Sequence, residues 1–314
     1  MSRSTDIRPQ ATALYFLPIQ TRLPLKFGTG TVTSVTCARA RLTIADGRGQ
    51  SAEGWGETPL SVQWVWPSKV PYEEREEALK NFCVLLAKEW TQVDGLGHPL
   101  EVGYDFQETV LPGLLEEFNR EQRGEHEPMP WLAALVCCSV FDLALHDAYG
   151  QLHQRPVYEL YGPAWINRDL ASFLTSAEGT DISFEGKFVE EFLVAQPQAQ
   201  LPAWHLVGGL DLLDAVELTG REPRDGYPVL LTDWIKRDGL TCLKVKLRGD
   251  DSHWDYQRMV KVGKIALANG VEHLSADFNC TVTDPAYVND ILDRLRSDQP
   301  PINERLLYVE QPFP

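Results

Sequence analysis

A chain of 314 residues, 43% hydrophobic and 24% charged, has the composition of a globular protein with a large core and room for about two domains. Its 45 acidic against 29 basic residues give a formal charge of −16, which argues against nucleic acid or an anionic membrane surface as partner. An anionic small molecule is not excluded, because lysines or a metal can reverse the field inside a cleft.

In chain order, residues 1–11 are polar and read as frayed, and 13–19 read as a strand. A Gly/Pro-punctuated loop follows at 21–30. Alternating β-branched residues over 32–44 predict a second strand, which turns at Asp46-Gly47 and returns through Glu53-Gly-Trp-Gly-Glu57 as a hairpin. The loop at 58–67 carries Trp64 and Trp66, read as packing anchors ahead of substrate contacts. Leu79, Phe82, Cys83 and Leu86 recur at helical spacing within 71–90, with Glu73, Glu74, Glu76 and Glu77 in the opening turns. A further helix is expected over 101–117, broken at Pro112-Gly113. A meander followed by helices predicts a small α+β domain over 1–130.

Residues 131–149 form the most apolar helix, with Gly150 placed to end it. Asp142 and His146 stand i, i+4 on one face, the spacing of two metal ligands. Without a third ligand nearby, a hydrogen-bonded pair is the plainer reading. The stretch 163–200 has weak periodicity and is read as a surface insertion. From 201 the chain alternates strand (201–206), helix (227–237), strand (241–247), helix (251–268), strand (272–279), helix (284–295) and strand (305–312). This rhythm predicts βαβ units and a parallel sheet buried on both faces, so 131–314 reads as a second, barrel-like domain. His205, near a strand end, reads as a core histidine.

The polar residues in these strands carry the chemistry. Lys244 and Lys246 alternate with Leu243, Val245 and Leu247, so both lysines share one face. Two buried ammonium groups are costly unless anions meet them. Asp277 follows Lys246 by 31 residues and Glu310 follows Asp277 by 33, each close to the roughly 30 residues of a βαβ unit. Lys, Asp and Glu therefore fall near the C-terminal ends of successive strands, where α/β barrels build their sites. Asp277 and Glu310 are hard oxygen donors suited to Mg²⁺. A cation there can hold a substrate carboxylate and stabilise the dianion left when an α-proton departs. Crowding of the lysines by each other and by a cation would lower a lysine pKa towards neutrality. Lys246 is the better candidate for the base, and Lys244 would stay cationic and bind a carboxylate oxygen.

Six cysteines (37, 83, 137, 138, 242 and 280) show no CxxC spacing and mostly sit in apolar runs, as reduced thiols of a cytoplasmic protein do. No N-terminal signal sequence and no apolar run of about 18 residues is read, so export and a membrane location are not expected.

Lys244-Val-Lys246, Asp277-Phe-Asn279, Val309-Glu-Gln-Pro-Phe313, Glu53-Gly-Trp-Gly-Glu57 and the segment from Asp142 to Gly162 together resemble the enolase superfamily, in its muconate lactonizing enzyme and mandelate racemase branches. The resemblance covers nearly the whole chain outside 163–200. It implies an α+β capping domain over a (β/α)7β TIM-like barrel, one essential Mg²⁺, and abstraction of a proton α to the carboxylate of a small-molecule substrate. The superfamily pairs Lys or His bases with Mg²⁺. By the resemblance Asp277 and Glu310 are metal ligands and Lys244 and Lys246 catalytic. The loops at 22–30 and 58–67 would be specificity lids, with Arg22, Lys26 and Asn279 as substrate contacts. Gln311 is more similar to the lactonizing and dipeptide-epimerase side than to the acid-sugar dehydratases. The resemblance is compatible with a homo-oligomer and with a cycloisomerase, an epimerase or racemase, or a dehydratase. The chain reaches Pro314 just after what reads as the fourth barrel strand, so about the first half of a barrel is expected, and a third metal ligand and a second acid/base group are not found. The alternative is a catalytically inactive or truncated relative that binds a ligand or partner. The blandest reading is an unrelated α/β barrel with internal salt bridges.

Overall fold

Three strands, β1 (Ile7–Phe27), β2 (Gly30–Asp46) and β3 (Ser51–Pro59), form a sheet in the order β1-β2-β3. Along β2, Ala38, Ala40, Leu42 and Ile44 are buried while Arg39, Arg41 and Thr43 take the opposite face, the period of two imposed by the pleat. The computed structural model describes residues 3–27 and 30–314. The chain packs as two units, Met1–Ile19 with Ser34–Gln196 and Gln20–Thr33 with Pro197–Pro314. Because β1 runs to Phe27, most of the loop expected from residue 21 is extended strand. Gly28 and Thr29, the rest of that expected loop but for Gly30, lie outside the described residues.

The first unit adds five helices: α1 (Val62–Val65), α2 (Tyr72–Glu89), α3 (Pro99–Thr109), α4 (Leu111–Phe118) and α5 (Trp131–His153). The break expected at Pro112 falls at Val110, so Pro112 lies in the first turn of α4, where its missing N–H costs no hydrogen bond. Helix α3 starts from a buried histidine cap. His98 Nδ1 accepts from the Leu100 N–H at 3.1 Å, and Glu101 accepts from the His98 N–H at 2.9 Å.

By length and composition α5 could cross a membrane, contrary to the expectation that no such run exists. Its packing makes it a core helix. It lies on β3, and Gly54 and Gly56 make this approach possible: a Cβ at Gly54 would stand 2.1 Å from Ala148 N, and one at Gly56 2.1 Å from Val140 O. Helix α5 therefore belongs with the meander, and the packing boundary falls at Gln196 where the sequence suggested residue 130. Within 163–200 only short 3₁₀ turns form, at Leu170–Ser172 and Val189–Phe192, and most side chains there are exposed.

In the second unit β4 (Trp204–Val207), β5 (Cys242–Lys246), β6 (His273–Asp277) and β7 (Leu306–Glu310) form a parallel sheet in sequence order. Helices α6 (Leu231–Asp238), α7 (Ser252–Ala268), α8 (Pro285–Asp298) and the one-turn α9 (Pro300–Asn303) make the crossovers. Leu243, Val245, Leu274 and Ala276 pack with Ile235, Met259, Val262 and Ile291 of these helices. The architecture is thus an α+β unit followed by a four-stranded parallel β/α unit, as expected. His205 faces the helix side, its ring 5.6 Å from Trp234. One irregularity matters for the site: Leu274 pairs with Leu306 but Ser275 pairs with Tyr308, so Leu307 is an extra residue in β7.

Candidate active site at the strand ends

Parallel register sets the residue layers. Lys244 lies beside Ser275, and Lys246 lies beside Asp277. Ser275 lies beside Tyr308, and Asp277 beside Glu310. Side chains two apart share a face, so the last inward layer is Lys246, Asp277 and Glu310 and the one below it Lys244, Ser275 and Tyr308. All four charged residues singled out in the sequence therefore meet.

Asp277 Oδ2 is the hub, 2.5 Å from Lys246 Nζ and 3.0 Å from Lys244 Nζ. Lys244 Nζ also lies 2.7 Å from Glu310 Oε1 and 2.6 Å from its Oε2. Asp277 is fully buried and Lys246 nearly so, whereas Lys244 and Glu310 keep some exposure. Burial alone would lower the Lys244 pKa, but the hydrogen bonds with Glu310 and Asp277 outweigh it and hold the ammonium above its ordinary value. Burial likewise pushes the Asp277 carboxyl up, and the bonds from Lys246 and Lys244 overcome it, leaving the carboxyl below its ordinary value. Lys244 is thus held cationic, as expected, with Asp277 between the two ammonium groups.

Backbone strain gathers at this end. Asn279, Cys280 and Gln311 all have positive φ, at 53°, 57° and 41°. The Asn279 N–H donates to Asp277 Oδ1 at 2.8 Å, and the Cys280 N–H donates to Gln311 O at 2.7 Å. These bonds tie the turn after β6 to the one after β7 and fix the two carboxylates relative to each other. The Asn279 Oδ1 is buried without a hydrogen-bond partner among the described residues, and so is the Ser275 Oγ one layer down. Sequence reasoning missed Ser275; counting back by two from Asp277 would have placed it inward.

Arg22, one of the sequence-predicted substrate contacts, is engaged elsewhere. The Arg22 guanidinium forks onto Asp225 at 2.6 and 2.8 Å and donates to the Tyr227 and Pro228 carbonyls at 2.9 Å each, so it pins the loop before α6. Lys26 accepts the Gly209 N–H through its carbonyl at 3.1 Å. Asp142 Oδ1 and His146 Nε2 are 3.9 Å apart, too far for the hydrogen bond expected between them. Among the described residues no group of three or more His, Cys, Asp or Glu side chains is placed to hold a metal, so Asp277 and Glu310 stand as a pair. Five of the six cysteines are buried and Cys280 is exposed.

No protein-family model and no curated protein matches the chain. Solved structures do. An enolase from Bradyrhizobium, complexed with magnesium and mandelic acid, is 16% identical and aligns over 98% of this chain and 62% of its own, with a TM-score of 0.54. The dipeptide epimerase from Enterococcus faecalis V583, complexed with Mg and L-Leu-L-Tyr, aligns over 98% and 62% at 15% identity and a TM-score of 0.53. The N-succinyl Arg/Lys racemase from Bacillus cereus ATCC 14579 aligns over 98% and 60% at 14% identity and a TM-score of 0.54. The chain shares the fold of these structures and spans about three-fifths of their length.

Proposed function

We propose that this chain carries part of a Mg²⁺-dependent site that removes the proton α to the carboxylate of a small-molecule substrate, in the manner of a racemase or epimerase. The observation that carries the reading is the Lys244–Asp277–Lys246–Glu310 cluster at the ends of three adjacent parallel strands. A single cation, the Lys244 ammonium, is already held by both Asp277 and Glu310. Two anionic oxygen donors converging on one point suit a hard divalent ion, and Mg²⁺ is commonly held by one or two carboxylates with water and substrate completing its shell. Bound there, it would supply the positive charge that stabilises the dianion formed when the α-proton leaves.

The protein's own groups do the rest. Lys246, at the last position of β5, takes the proton. Lys244, displaced from the carboxylates, binds a substrate carboxylate oxygen. The Asn279 N–H keeps Asp277 oriented while its side-chain oxygen is open to a donor on the substrate. In this reading the protein is cytoplasmic, has no nucleic-acid or membrane partner, and is compatible with a homo-oligomer; dehydratase and cycloisomerase chemistry remain within the same site logic.

Calorimetry with MgCl₂ tests the reading on the wild-type chain and on Asp277→Asn and Glu310→Gln. Saturable binding lost in both variants, with α-proton exchange into D₂O for some carboxylate substrate, supports it. The satisfied ion pairs favour one competing reading, a charge cluster that binds ligands without turnover. A folded chain with no Mg²⁺ binding and no exchange would establish that reading instead.

A further inference from the structure

In the first unit β1 is an edge strand, since the sheet runs β1-β2-β3. Among the described residues its outer edge pairs only at Ile7, whose N–H and C=O bond Gly97 at 3.0 and 3.2 Å. Over 8–19 that edge has no further backbone partner among them. The apolar side chains of the strand also stay open on both faces. Leu14 and Phe16 lie on the core side and are only half-buried, whereas Ala38, Ala40, Leu42 and Ile44 of β2 are fully buried. On the opposite face Tyr15 stacks on Trp55 with ring centroids 6.1 Å apart, and the pleat turns Ala13, Leu17 and Ile19 the same way. There Tyr15 is 45% exposed and Ile19 44%.

A cover laid on either face would leave the other face and the backbone edge open. A strand set alongside closes all three. Charge singles out the same stretch. At a formal charge of −16, two copies of this chain repel each other over most of their surface. The 13 residues from Pro9 to Thr21 carry no charge, with Arg8 and Arg22 at their ends. Solvated edge strands are usually guarded by lysine, inward charges or proline. Here the guards are Pro9 and Pro18, which have no N–H to donate and so bound a stretch over 10–17 that is open to pairing.

We propose that β1 pairs antiparallel with β1 of a second copy of this chain, joining the two sheets into one across a two-fold axis. Centring the axis on Leu14 pairs 11 with 17, 12 with 16 and 13 with 15, and keeps both prolines out of the ladder. This register sets large side chains beside small ones: Tyr15 by Ala13, Leu17 by Ala11 and Phe16 by Thr12. It covers Leu14 and Phe16 on one face and Tyr15 on the other in a single step. The surface lies wholly in the first unit and does not depend on the strand-end chemistry.

Sedimentation velocity on the whole chain, over about 1 to 200 µM, tests the pairing, because a single strand pair is a small interface and associates weakly. The mass should rise from 35.4 kDa towards twice that value and stop there. Hydrogen–deuterium exchange at the two ends of the concentration range should show added protection centred on 11–17. Tyr15→Lys, which sets two ammonium groups beside the axis, should raise the dissociation constant at least about tenfold. Thr43→Lys, on the same face of β2 but away from the edge, should leave it unchanged. A chain that stays monomeric, a mass that climbs past the dimer, protection outside 11–17, or a Tyr15→Lys chain that dimerises like wild type would overturn the proposal. If Tyr15→Lys does not fold, the exchange pattern of the wild type decides.

Discussion

Replacing Asp277 by Asn should be among the most destabilising isosteric changes in the second unit. The carboxylate is fully buried, with ammonium groups at 2.5 and 3.0 Å. At an effective dielectric constant of about 20, each such pair is worth roughly 5–7 kcal/mol of gross attraction, most of it offset by lost solvation. Removing one member of a buried ion pair leaves the other uncompensated, at a typical net cost of about 3–5 kcal/mol. Glu310→Gln should cost about 1 kcal/mol or less, because Glu310 is 30% exposed and Lys244 keeps Asp277. Adding Lys244→Met to Asp277→Asn should recover part of the loss by removing one of the stranded charges. Urea unfolding followed by circular dichroism, in Mg²⁺-free buffer at pH 7, measures all four chains. The pH dependence has a defined sign. The folded Asp277 pKa is depressed, so its contribution is full above the unfolded value of about 3.9 and is lost as pH falls through the folded value. The gap between wild type and Asp277→Asn should therefore close in acid. An Asp277→Asn chain within about 1 kcal/mol of wild type, or a Glu310→Gln chain as unstable as Asp277→Asn, would refute the assignment of Asp277 as the electrostatic hub.

Two further outcomes test the first unit. Gly54→Ala should lose about 1–3 kcal/mol or more, since the new methyl meets the α5 backbone, whereas Gly113→Ala on α4, with open space around it, should be neutral or slightly stabilising; thermal melts of both compare them directly. His98 has its folded pKa lowered from 6.5 to about 3 by burial and by His146, so the unfolded chain takes up the proton first and stability should fall as pH drops below about 6.5, by up to ~1.4 kcal/mol per unit. His98→Asn keeps a cap acceptor for Leu100 and should make that slope shallower in urea titrations between pH 4 and 7, the remainder coming from His146, His153 and His205, whose pKa values burial also lowers, whereas an unchanged slope would place the acid sensitivity elsewhere.

The alternation of lysines with Leu243 and Val245, and the spacing to Asp277 and Glu310, made the strand-end cluster legible because strand period and βαβ length are geometric constants. The position of α5 was not legible, because an apolar helix shows the same pattern against either neighbour. What decides it is the pair Gly54 and Gly56, whose missing side chains admit the α5 backbone. Those glycines were visible in Glu53-Gly-Trp-Gly-Glu57, but a hairpin explains glycine equally well. Arg22 escaped for a similar reason. Its partner Asp225 lies about 200 residues away in an irregular loop, where periodicity carries no signal.

Glu310 illustrates a deeper limit. From Leu306, whose neighbour Leu274 faces the helices, plain alternation would set Val309 beside Asp277 and turn Glu310 away from the site. The extra residue Leu307 restores the phase, so a one-residue bulge turns an outward carboxylate in beside Asp277, where both meet Lys244. The left-handed residues Asn279, Cys280 and Gln311 then close the turns above it, with the Cys280–Gln311 bond spanning the two strand ends. Bulge and strained turns both cost stability, and both fall within four residues of Asp277 or Glu310. A fold selected for stability alone would gain by relaxing them. Their concentration around two carboxylates holds the separation of two like charges against their repulsion, and Lys244 bridges the pair.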